Sequence, residues 1–170
     1  TNNICVGHQD NGFNTHGAGV TDCLIANNLF DGIRPGPCVA VGYSTLSGPD
    51  KRIDIVDNIM KNSTATPISV IGNVTHQNET IRVLRNTIYN CGTTTAGSNG
   101  ISMQYTSFGE ISDNSITGVT LNVSNGIFVA NASDLIIKSN ILRSLPNGYG
   151  ITYDTITGAV IKGNDIRGAV

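Results

Sequence analysis

One short phrase recurs six times along the chain, and it limits the fold more than any other feature. It reads aliphatic residue, two variable residues, Asn, one variable residue, apolar residue. It runs from Ile25 to Phe30 around Asn28, Ile55 to Met60 around Asn58, and Val83 to Ile88 around Asn86. It returns from Ile111 to Ile116 around Asn114, Ile137 to Leu142 around Asn140, and Ile161 to Ile166 around Asn164. The Asn positions are 30, 28, 28, 26 and 24 residues apart. A second apolar-x-apolar phrase follows each of the first five: Val39–Val41, Ile68–Val70, Ile101–Met103, Ile127–Val129 and Ile151–Tyr153. Gly precedes the last three, at Gly100, Gly126 and Gly150.

Alternation with a period of two is the pattern of a strand with one buried face. Each stretch is too short for a helix, and Gly, Asn, Ser or Pro interrupts it. A unit of this size cannot bury its own apolar positions, but a stack of units buries them as one column. The expectation is an all-β chain folded as a parallel β-solenoid. An Asn at a turn between two inward residues would stack on its counterparts above and below, satisfying amide and backbone groups inside the column. Regular coils are expected over 21–170. Residues 1–20 read as an irregular partial coil, with Ile4–Val6 as the second phrase of an earlier unit and a long loop from Gly7 to Gly19.

Charged residues make up only 13% of the chain and the net charge is −2, about half the charged share of ~25% usual for soluble domains. No Lys/Arg run offers an electrostatic footprint for nucleic acid. No apolar stretch approaches the ~20 residues of a membrane span. Cys5, Cys23, Cys38 and Cys91 form no C-x-x-C pair and no zinc pattern, and whether they pair stays open. The chain starts at Thr1 and reads as a segment of something longer, with solenoid ends that further chain or partner subunits would cover.

These residues resemble the right-handed parallel β-helix of the pectin-lyase-like superfamily, which includes pectate lyases, polygalacturonases, alginate epimerases and bacteriophage tailspikes. The resemblance covers roughly residues 20–170. It implies a right-handed β-helix of about six coils, an extracellular, secreted or virion-surface setting, and a polysaccharide or cell-surface glycan as partner. It also implies a homotrimer or a solenoid continued by further chain. The fold alone does not set the chemistry.

Aligning the units on Asn stacks equivalent residues about 4.8 Å apart. The outward residue between the two inward ones reads Leu24, Asp54, Arg82, Glu110, Ile136, Val160. The residue before the Asn reads Asn27, Asp57, Arg85, Asp113, Ser139, Gly163. Two neighbouring columns thus run acid, base, acid over the same three units. They read either as charge ladders, each exposed pair contributing roughly 0.2–1 kcal/mol, or as a polysaccharide-cleaving site. In a hydrolase, Asp54 and Glu110 would stand roughly 9–10 Å apart, near the upper edge of the ~6.5–9.5 Å spacing of inverting glycosidases. Arg82 between them would hold both ionised, against an acid role. In a pectate-lyase-like enzyme the carboxylates would hold Ca²⁺ and Arg82 or Arg85 would act as base; hydrolysis calls for no cofactor.

Tyr43, Tyr105 and Asn131 share one offset beyond the second phrase and are candidate sugar-binding residues, since aromatic faces suit sugar rings. His8 is assigned the same offset in the partial first unit. His8, Asp10 and His16 form a further polar cluster, read as a solvated loop: the Asn-x-Asp and Arg-x-Lys signatures of polygalacturonases are missing. The expected function is a polysaccharide-binding module that also cleaves if the charged columns are catalytic, most like a tailspike segment. A structural shaft or adhesion module is the alternative.

Overall fold

The computed structural model describes residues 1–15, 19–42, 48–93, 98–118, 123–145 and 148–169. Three short strands per repeat, joined by corners, pair in parallel with their counterparts one repeat on, and the described residues contain no helix. The chain is a parallel β-solenoid of about six turns. The first face carries the strand before each Asn: Thr21–Ala26, Lys51–Val56, Asn78–Leu84, Glu110–Ser112, Ile136–Lys138 and Val160–Lys162. The second follows the Asn, from Ile4–Val6 through Ile59–Lys61 to Asp165–Ala169. The third carries the second phrase, from Phe13–Asn14 and Val39–Val41 to Val123–Ser133 and Tyr149–Thr157.

Left-handed residues make the corners; one station, nine residues before the Asn, holds Gly19, Tyr105, Asn131 and Thr155, and three others recur from coil to coil. They lie one residue before the Asn, four after it and six before it, with φ from 52° to 70° at Asn2, Gly7, Asp22, Asn27, Gly32 and their counterparts. Gly, Asn and Asp predominate there because they reach this region at least cost. Gly100, Gly126 and Gly150 answer a different constraint. A Cβ on Gly100 would stand 2.6 Å from the Gly126 carbonyl oxygen, and one on Gly126 would stand 2.7 Å from that of Gly150. The coils approach too closely there for any side chain.

The core is a set of files. Ile55, Val83, Ile111 and Ile137 are fully buried in register on the first face, as are Met60, Ile88, Ile116 and Leu142 on the second. Each such side chain contributes about 1.5–3 kcal/mol by leaving water. Ile161 stands in the same file, in register with Ile137, but is 41% exposed rather than buried as expected, because among the described residues a neighbouring coil covers it on one side only.

The Asn column forms as expected and has one more rung. Asn28, Asn58, Asn86, Asn114 and Asn140 each donate from the backbone N–H and from Nδ2 to Oδ1 of the next Asn, at 2.9–3.1 Å. The second Nδ2 hydrogen of Asn86 goes to the Ile55 carbonyl at 2.8 Å, and Asn58, Asn114, Asn140 and Asn164 repeat this bond. Asn3 begins the ladder, donating to Asn28 Oδ1 at 2.9 and 3.1 Å. It was missed because only Thr1 and Asn2 precede it, so the phrase has no leading aliphatic residue.

That rung also corrects the register of the first coil. Ile4–Val6 pairs with Leu29–Asp31 and therefore belongs to the second face, not to the second phrase. Phe13–Asn14, expected within a loop, pairs with Val39 and Ala40 and is the third-face strand. His8 consequently does not share the offset of Tyr43, Tyr105 and Asn131.

Candidate functional site

The first face brings the two charged columns together as the repeat requires. Arg82 lies opposite Asp54 on one side and Glu110 on the other. Its guanidinium chooses Asp54 and grips both carboxylate oxygens through Nε and Nη2. Arg85 grips Asp57 the same way, at 2.9 Å for both bonds. Arg52 and Asp22 form a third forked pair at the next corner, which the column alignment did not single out. Glu110 instead meets Lys138 Nζ at 3.0 Å and accepts from Ser112 Oγ at 3.1 Å. Asp113 follows Arg85 in the column and has no ion pair among the described residues.

These contacts set the protonation states. The ammonium of Lys138, with the Ser112 hydroxyl, holds the Glu110 carboxyl below its ordinary value against the opposing effect of burial. Arg85 does the same to Asp57. The hydrogen bonds to Asp54 and Asp57 push Arg82 and Arg85 above their usual value. A general acid must carry a proton at working pH, and a base must lack one. The shifts oppose an acid role for Asp57 and Glu110, which are held ionised, and a base role for Arg82 and Arg85, which are held protonated. What the arrangement does directly is tie one coil to the next. Seven of the ion pairs join neighbouring coils, Lys51–Glu79 and Lys61–Asp31 among them. An open depression of about 440 Å³, lined by Asp22, Leu24, Arg52, Asp54, Thr80 and Arg82, lies over two of the forked pairs, Arg82–Asp54 and Arg52–Asp22.

A second groove gathers the sugar-binding candidates. Tyr105 and Asn131 line an open depression of about 310 Å³ with Val74, Gln77, Thr155 and Thr157. Tyr105, Asn131 and Thr155 each directly follow the register-matched residues Gln104, Ala130 and Asp154, so they stand on three successive coils. Thr155 was missed although it stands four residues beyond Ile151, as Tyr105 does beyond Ile101. The same offset would have found it. Val74 and Gln77 come from the excursion after the second phrase of an earlier coil, and no repeat marks them. Tyr43 and His16 lie outside the described residues.

The remaining chemistry is closed off or scattered. Asp50 is a buried carboxylate that the repeats did not flag. It accepts from Thr15 Oγ1 and, at 2.6 Å, from the Val20 N–H. Burial pushes the Cys38 thiol far up and the Cys91 thiol up to about 12, so both stay protonated. Among the described residues no three Asp, Glu, His or Cys side chains converge as metal ligands, and no helix is long and apolar enough to cross a membrane. Comparison of the chain with protein families, with curated proteins and with solved structures returns no match in any of the three.

Proposed function

We propose that this chain is a polysaccharide-binding β-solenoid module of the pectin-lyase-like kind, working outside the cell and holding a glycan without cleaving it. The observation that carries this reading is the Tyr105–Asn131–Thr155 line on three successive coils, open to solvent along the stack. A ring face, an amide and a hydroxyl repeated at coil spacing match a polymer with an apolar ring face and hydroxyl edges. A single stacked ring with a few hydrogen bonds corresponds to modest affinity, which an elongated polymer raises by meeting several coils at once.

The first-face columns support a non-catalytic reading, because Asp57 and Glu110 are held ionised by Arg85 and Lys138 of the neighbouring coils. They also favour a second reading, a structural shaft in which charge serves only to lock coil on coil. Glycan-array binding of the wild type and of Tyr105→Ala and Asn131→Ala separates the two. Loss of about tenfold in affinity in either variant, with an unchanged thermal midpoint, supports the binding module. Absence of any glycan signal from the wild type leaves the shaft. Release of reducing ends by the wild type that stops in Asp54→Asn and Glu110→Gln would restore a catalytic role to the first face.

A further inference from the structure

Charge in this protein is scarce and nearly all of its cations are used. Among the described residues, eight of the ten Lys and Arg residues take part in ion pairs; Arg34 and Lys162 do not. Lys162 stands beside Lys138 in the register of the last coils and lines none of the grooves described above. Arg34 is different. It lines an open depression of about 680 Å³ between the second and third faces, with Val6, Gln9, Asp31, Pro35 and Thr64. Its side chain is exposed and makes no hydrogen bond to any described residue.

We infer that this depression is a second saccharide site, distinct from the Tyr105 groove, and that it takes a sugar ring bearing a carboxylate. The guanidinium fork fits a carboxylate with two parallel hydrogen bonds, and no described residue occupies it. Gln9 pairs in register with Arg34 in the short Gln9–Asp10 and Arg34–Pro35 strands, so the two side chains leave the backbone on the same side. The amide thus stands beside the guanidinium as a second donor. Thr64 follows on the next coil, its N–H bonded to the Ile33 carbonyl at 3.2 Å, and adds a hydroxyl. Val6, 66% exposed, and the Pro35 ring give an apolar surface for the face of the sugar. Asp31, the one acid on the rim, does not oppose an anion strongly. Its oxygens are engaged by Lys61 Nζ at 3.0 Å and Asn62 Nδ2 at 2.7 Å.

This site rests on the reading that the chain binds polysaccharide, and its test separates the two. Titration calorimetry would use a uronic-acid oligosaccharide and its carboxyl-reduced neutral counterpart against the wild type, Arg34→Ala and Tyr105→Ala. The wild type should prefer the acidic form. Arg34→Ala should weaken that form about tenfold, leave the neutral form unchanged and keep the thermal midpoint, since the side chain bonds to no described residue. Equal wild-type affinity for the two forms overturns the inference. So does acidic binding that survives Arg34→Ala and falls only in Tyr105→Ala, and in that case the polysaccharide reading stands. No binding of either form by the wild type removes both.

Discussion

Two columns of side chains stand one residue apart at the same corner of every coil, and the solenoid treats them differently. The Asn column faces in: Asn58, Asn86, Asn114 and Asn140 are at most 1% exposed, and each spends both amide hydrogens and its oxygen on neighbouring coils. The column just before it faces out and reads Asn27, Asp57, Arg85, Asp113, Ser139 and Gly163. Every member has a left-handed backbone, yet the side chains range from none to a guanidinium. An unmet donor inside the column would cost about 1–3 kcal/mol, so only one residue type recurs. Outside, water satisfies whatever the neighbour does not, and pairs such as Asp57–Arg85 are optional. Invariance from coil to coil is therefore a consequence of burial here, while charge alternation is a surface accommodation.

Substitutions can break this contrast. Asn86→Ala should be the most damaging, because it strands the Asn58 N–H and Nδ2 in the core; the expected loss is about 2–6 kcal/mol by denaturant unfolding. A loss below about 1 kcal/mol would mean that the ladder is not what fixes the corner. Ile111→Ala, in the fully buried file, should cost about 2–5 kcal/mol, whereas Ile161→Ala at the exposed end should cost less than half as much. Equal losses at the two positions would refute the file as drawn. Glu110→Gln, in the outward column of the first face, should change stability by less than about 1 kcal/mol, and molar salt should shrink that further.

Acid sharpens the same contrast. The folded-state values of Asp57 and Glu110 are lowered, so their contribution is present above the ordinary carboxylate range and fades as pH falls through and below it. The wild type should lose stability between about pH 5 and pH 2. The Asp57→Asn, Glu110→Gln double variant should lose measurably less over that interval. An identical acid slope in the two proteins would show that the surface pairs contribute nothing to stability. Arg85→Gly is expected to matter least: it gives up the Asp57 pair but relieves a left-handed Arg, and the unfolding midpoint should barely move.

The repeat made most of the fold legible. Parallel strands, the inward Asn column and the inward files all follow from where Asn and the aliphatic residues recur, and the structure bears them out. It also put Asp54, Arg82 and Glu110 in one column and Asp57, Arg85 and Asp113 in the next, as found. The first coil was misread because its phrase is incomplete before Asn3, so Ile4–Val6 could be matched to either phrase. The rim of the Tyr105 groove was legible only in part. Tyr105 and Asn131 sit at a repeated offset, while Val74 and Gln77 belong to an excursion of one coil and obey no period.

The sequence by itself determined what is periodic: the stacking architecture, the residue type at each buried station, and which charges share a column. Stacking copies every station at one fixed spacing, so a one-dimensional pattern is enough to state it. Only the tertiary structure decided which partner each charge takes. Arg82 turns to Asp54 rather than Glu110, and Glu110 turns to Lys138 in a different column, because exposed side chains settle by reach and geometry rather than by register. It alone also showed that the Arg34 side chain has no partner among the described residues, since that depends on how excursions of unequal length from successive coils pack beside one another.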